Sequence, residues 1–132
     1  MNSRILGIIL LVLPAAFGFA QQESPYVDPA NLARLISDKD EPYILVDVRT
    51  PEEYADGHIP TAVNIPLAEI GEKPPTEDKS ALIVVYCRSG ARSTSAKRTL
   101  DQLGYTNVVN FRGVGRWVGE LVEGDSPGGM QP

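Results

Sequence analysis

The chain has 132 residues, 42% of them hydrophobic and 22% charged, with a formal net charge of −5. These are the proportions of one globular domain, long enough to build a core without disulfide staples, and the single cysteine, Cys87, excludes an intramolecular disulfide. The acidic balance argues against nucleic acid or an anionic membrane as partner, so any site for an anionic substrate must make its positive field locally.

Met1–Arg4 is short and carries one positive charge, and Ile5–Ala20 is almost purely apolar. That run is short for a membrane span, contains Pro14 and closes on the small residues Gly18 and Ala20. This is the pattern of a secretory signal peptide cleaved before Gln21, with an uncleaved anchor as the alternative. Cleavage removes Arg4 and no acidic residue, so the mature charge becomes 11 − 17 = −6. Export across the inner membrane is therefore expected, with the periplasm as destination. Residues 21–25 read as a leader, 26–124 as the folded domain and 125–132 as a flexible tail.

Asp28-Pro29 is a helix start, an acceptor at the N-cap and proline at the first position. Leu32, Leu35 and Ile36 then share a face, and the helix should end near residues 37–40. Tyr43–Val48 is a short apolar run between prolines and predicts a buried strand. Thr50-Pro51-Glu-Glu opens a short helix that Gly57 ends. His58–Pro60 is a turn, Ala62–Ile65 a brief strand, Pro66–Ile70 a helical turn and Gly71–Lys79 a surface loop. Ala81–Tyr86 (ALIVVY) predicts a central strand that runs into Cys87. A helix begins at Arg92 or Ser93, presents Ala96, Leu100 and Leu103 on one face, and stops at Gly104. Asn107–Phe111 predicts another strand. Gly113–Glu123 predicts a final helix, with Val114, Trp117, Val118, Leu121 and Val122 at helical spacing and Trp117 in the core. Alternating strands and helices imply an α/β domain with a mostly parallel sheet.

The segment that carries chemistry is Val85-Tyr-Cys-Arg-Ser-Gly-Ala-Arg-Ser93. Sites in open α/β sheets form beyond the carboxyl ends of the strands, which is where Cys87 falls. Gly90 allows a tight turn, and successive backbone N–H groups leading into a helix form an anion nest. Arg88 and Arg92 add positive charge, and Ser89 and Ser93 add hydroxyls. The expected result is a Cys87 thiolate stabilised by the helix N-terminus and the arginines, hence a nucleophile. Arg88 reads either as a donor-binding or as a solvated side chain, and Arg92 either as an anion ligand or as a clamp on the loop. Asp47 and Arg49 read as a strand-end pair that shapes the site. His58, among apolar and proline neighbours, reads as structural. No metal-ligand cluster and no nucleotide-phosphate motif is present in the sequence, so neither a metal nor a cofactor is expected.

This loop resembles the active-site loop of rhodanese-domain sulfurtransferases. Asp47-Val-Arg49, Glu52-Glu-Tyr-Ala-Asp-Gly-His-Ile-Pro60 with Ala62-Val-Asn-Ile-Pro66, and Phe111-Arg-Gly-Val-Gly-Arg-Trp117 resemble the same family, together spanning about residues 26–122. Two departures stand out: Thr61, where the family usually has glycine, and Ser89, where its prototype has a second basic residue. The resemblance implies a five-stranded, mostly parallel sheet with helices on both faces. It implies a persulfide on Cys87, formed from a donor such as thiosulfate and discharged to cyanide or a thiol. It places donor binding on the loop Arg88, Ser89, Gly90, Ala91, Arg92 and Ser93. Two other readings remain: a persulfide-relay or small-anion module serving a protein partner, and a cysteine-dependent phosphatase. The related phosphatases set their arginine one position further from the cysteine than Arg92, and the tighter loop here suits a single sulfur.

Overall fold

The computed structural model describes residues 22–128; the segment Met1–Ala20, read as a signal peptide, lies outside them. Asp28 starts the first helix as its sequence dictates, its Oδ1 accepting from the N–H groups of Ala30 at 2.9 Å and Asn31 at 3.1 Å. The elements that follow are α1 (Pro29–Asp38), β1 (Ile44–Asp47), α2 (Pro51–Asp56), β2 (Val63–Asn64) and α3 (Leu67–Ile70). Then come β3 (Ile83–Cys87), α4 (Ala91–Gln102) and β4 (Val108–Gly113), with short 3-10 turns at Pro25–Val27 and Val114–Arg116.

The strands form one parallel sheet in the order β2-β1-β3-β4. All five residues of β3 are buried, as a central parallel strand requires. Alternation along it feeds two cores. Val84 and Tyr86 join Leu32, Leu35, Ile36, Leu45, Tyr54 and Phe111 under α1 and α2. Ile83, Val85 and Cys87 join Val46, Ile70, Ala96 and Leu100 under α3 and α4. Helices thus cover both faces.

The sheet among the described residues has four strands, and these are the four legible in the residues themselves; the fifth was implied by the resemblance alone. At the free edge of β4 the chain entering the domain forms the 3-10 turn Pro25–Val27 instead, its start capped by the Ser24 hydroxyl.

The expected helix over Gly113–Glu123 is absent. After the turn at Val114–Arg116 the chain runs extended, and Val122 forms an antiparallel bridge with His58, with N–H to O distances of 2.8 and 2.9 Å. Gly115 and Gly119 weaken a helix across this stretch, and the bridge offers the backbone a competing set of partners. Trp117 packs partly buried against the α1–α2 core, as its role in the core anticipated, and its indole donates to the Glu120 carbonyl at 3.1 Å. Val118 and Leu121 are left exposed.

Residues 124–128, most of them in the expected tail, are tied to the body. Gly124 N–H donates to Ala55 O at 2.9 Å, and Thr61 N–H to the carbonyls of Pro127 at 2.9 Å and Gly128 at 2.7 Å. Thr61 adopts φ +74°, the left-handed conformation that explains why glycine suits this turn. Here the Thr61 hydroxyl hydrogen-bonds to Tyr43 at 2.9 Å, which offsets part of the strain.

Candidate active site

β1, β3 and β4 all end on one side of the sheet, at Asp47, Cys87 and Gly113. Cys87 is the last residue of β3, fully buried, and faces α4. Helix α4 begins four residues later at Ala91, one residue before its expected start, because Gly90 caps it at φ +107°. The turn aims the unsatisfied N–H groups of the helix start back at the sulfur. Gly90 N lies 3.0 Å and Ser93 N 3.4 Å from Cys87 Sγ, and Ser93 Oγ lies 3.5 Å away. In the thiol form Cys87 donates to that hydroxyl; a thiolate becomes an acceptor for it.

Burial, the largest single influence, pushes the Cys87 thiol up. Hydrogen bonds from the Ser93 hydroxyl and N–H, and from the N–H groups of Gly90 and Ser89, together outweigh it and hold the thiol below its ordinary value. Ser93 supplies two of these donors. Ser93→Ala should therefore shift the pH profile of Cys87 alkylation by iodoacetamide to higher pH. An unchanged profile would assign the effect to the backbone donors alone.

The two arginines stand differently from one another. Arg88 is exposed and, among the described residues, makes no hydrogen bond or ion pair. Arg92 grips Glu53 of α2 through two hydrogen bonds of 2.6 and 3.0 Å, tying the start of α4 to α2 rather than clamping the carbonyls of the loop. Its guanidinium is held up first by Glu53 and only secondarily by the Cys87 sulfur. Glu53 also closes a capping box with Thr50. Hydrogen bonds from Arg92 hold its carboxyl down at about 2, against burial. Because the folded value is the lower one, this stabilisation is present above the ordinary carboxylate range and lost as pH falls from about 4.5 toward about 2. Glu53→Gln should flatten that part of an acid-unfolding curve. The pair is partly exposed, so the effect is modest.

Asp47 and Arg49 form the expected ion pair, both buried. Arg49 Nη2 lies 2.7 Å from Asp47 Oδ2 and donates also to Gly57 O at 2.7 Å. The guanidinium lies 5.8 Å from the Tyr86 ring centroid, next to Cys87 in the chain. Gly113 closes the floor: a Cβ there would lie 2.9 Å from Arg88 O, so only glycine lets β4 approach the loop this closely. His58 is fully buried, stacked on Tyr54 at 3.7 Å, with its ring nitrogens 2.8 and 2.9 Å from the carbonyls of Tyr54 and Ser126. Its surroundings on both sides are structural backbone groups.

Sequence reading missed Glu53 and Gly113 as parts of the site. The Thr50-x-x-Glu53 spacing of a capping box was a usable signal for the first.

Residues 28–118 match the family described as Rhodanese-like domain. The chain belongs to the rhodanese-like domain family. A sulfurtransferase of Allochromatium vinosum is 41% identical over 87 residues, covering 66% of this chain and 80% of that protein. The thiosulfate sulfurtransferase PspE of Escherichia coli is 44% identical over 71 residues, covering 52% and 68%. Among solved structures, a rhodanese with anions from Escherichia coli superposes with a TM-score of 0.60 at 38% identity, covering 63% of this chain and all of that one. The rhodanese-like domain is thus shared with proteins named as sulfurtransferases.

Proposed function

We propose that this protein is an exported sulfurtransferase that carries a sulfane sulfur as a persulfide on Cys87. The observation that carries the reading is the converging set of donors at Sγ: Gly90 N at 3.0 Å, Ser93 N at 3.4 Å and Ser93 Oγ at 3.5 Å. They favour the thiolate before reaction and the terminal persulfide anion after it. With thiosulfate, the Cys87 thiolate attacks the outer sulfur, the S–S bond of the donor breaks, and its electron pair leaves with sulfite. Cyanide or a thiolate acceptor then attacks the terminal sulfur, and the electron pair of the persulfide bond returns to Cys87. No base is required, which agrees with the structural commitments of His58. Arg88, exposed beside the cysteine, is the first ligand proposed for the donor's anionic end.

The signal-peptide pattern of Met1–Ala20 supports placement in the periplasm. Intact mass spectrometry of protein recovered from that compartment tests both parts. Thiosulfate should add one sulfur, about 32 Da, which cyanide removes, and the starting mass should correspond to a chain beginning at Gln21. A thiol that stays alkylatable and gains no mass would sink the persulfide reading.

One observation favours a second reading. Arg92, the other charge expected to bind a free anionic donor, is engaged by Glu53. A relay module fed by a protein persulfide needs less anion binding. Rapid loading from a partner protein's persulfide together with negligible loading from thiosulfate would favour it.

A further inference from the structure

On the proposal above, thiosulfate, a dianion, brings its sulfonate end to a site where Arg92 is engaged by Glu53 and Ser89 is uncharged. We infer that Arg112, at the carboxyl end of β4, is the missing second cation: with Arg88 it holds the donor's sulfonate while the outer sulfur lies at Cys87 Sγ. The inference rests on that proposed function and adds a specificity-determining residue to it.

Placement comes first. Across the β3–β4 pair, Tyr86 stands opposite Arg112 and Cys87 opposite Gly113. A Cβ built on Gly90 would lie 3.2 Å from Arg112 Cβ, and Ser93 Oγ lies 3.4 Å from the Arg112 carbonyl oxygen. Gly90 and Ser93 both place N–H groups on the sulfur, at 3.0 and 3.4 Å. Arg112 therefore packs against both sides of the cradle, from a strand that is remote in sequence.

The backbone makes a second argument. Arg112 has φ +77°, a left-handed conformation. For a residue with a side chain this costs on the order of 1–2 kcal/mol that glycine would not incur. The register shift between Val85 and Tyr86 imposes it: the pairing steps from Asn110 to Arg112, and Phe111 bulges into the core. The Asn110 side chain secures it by accepting the Arg112 N–H at 3.0 Å. Bulges beside active sites re-aim side chains, and strained residues concentrate where their side chains are used.

Charge makes the third. The Arg112 side chain is 59% exposed, and among the described residues its one ion pair is a long contact of 3.4 Å to Glu23, itself 66% exposed. Such a pair is weak. The guanidinium can exchange Glu23 for an oxyanion without stranding a buried partner, and two guanidinium forks match a sulfonate well. The covalent step is unaltered: sulfite departs as a dianion from the same two arginines.

The test compares donors on the full mature chain, using thiosulfate and the persulfide of an uncharged thiol, 2-mercaptoethanol. Arg112→Gln should raise KM for thiosulfate about tenfold, the loss of one charge-assisted contact, with little change in kcat and none with the neutral persulfide. Arg112→Gly, which relieves the backbone, should show the same KM defect with no loss of thermal stability. Glu23→Gln should lower KM for thiosulfate. An unchanged KM for thiosulfate in Arg112→Gln, or an equal loss with both donors, would overturn the assignment by leaving Arg112 a purely structural role. A wild-type chain that takes sulfur from neither donor would instead sink the sulfur-transfer reading, and this inference with it.

Discussion

Cys87→Ser is expected to abolish sulfur transfer: no mass gain with thiosulfate, and cyanolysis reduced at least roughly 10³-fold, to the background of the uncatalysed reaction. The argument is about the nucleophile rather than the fold. Serine at this position would still face the donors of Gly90 and Ser93. It therefore keeps its hydrogen bonds, and stability should move by no more than about 1 kcal/mol. An alcohol, however, needs a base to become an anion at neutral pH. The chain's only histidine is fully buried against Tyr54, with a backbone carbonyl beside each ring nitrogen. Among the described residues no group is placed to activate Ser at this position. Cyanolysis assays on a variant shown to be folded by its thermal transition make the check. Transfer that survives the substitution would mean that the sulfur is never carried on residue 87.

The same geometry shows why the Cys87 loop was legible in the sequence. Cys87, Gly90 and Ser93 fall within one seven-residue stretch, so a strand that ends and a helix that begins within a few residues must bring the helix start to the strand end. The four strands were legible because Val- and Ile-rich runs between proline- and glycine-bearing turns have few alternatives. Two helix starts were written in Asp28-Pro29 and Thr50-Pro51. What failed was long-range. The stripe from Val114 to Val122 has helical spacing, yet its backbone is taken by His58, dozens of residues earlier, and two glycines lower the helix's hold on it. Periodicity reports which positions can share a face; it does not report whether a neighbour competes for the backbone. Arg92 was ambiguous for the same reason. Its role depends on Glu53, brought to it by the packing of α2 near α4. The left-handed turn at Arg112 follows from a strand register that no local pattern announces.

Arg49→Met is the second large effect, and it falls on stability before activity. The Asp47 carboxylate is fully buried, and Arg49 supplies three side-chain hydrogen bonds to it of 2.7 to 3.0 Å. Burial alone would lower the Arg49 guanidinium, but Asp47 more than compensates and raises it. Removing the cation leaves a carboxylate with the Arg49-position backbone N–H, now at 2.9 Å, as its main donor from this segment, and frees the Gly57 carbonyl as well. Breaking a buried pair on one side costs about 3–5 kcal/mol. For a domain of this size that corresponds to a fall in melting temperature on the order of 15 °C. The loss should be recovered in part by adding Asp47→Asn, because the penalty lies in the stranded charge rather than in the missing attraction. Thermal unfolding of the single and double variants decides this: a double variant no more stable than Arg49→Met would show that the guanidinium matters through Gly57 and the Tyr86 ring rather than through Asp47. The outcome bears on function because these contacts fix the ends of β1 and α2 beside Tyr86, and Tyr86 leads directly into Cys87. A domain that survives the single substitution should then show a loosened cradle, seen as an alkylation profile for Cys87 shifted toward that of an ordinary thiol.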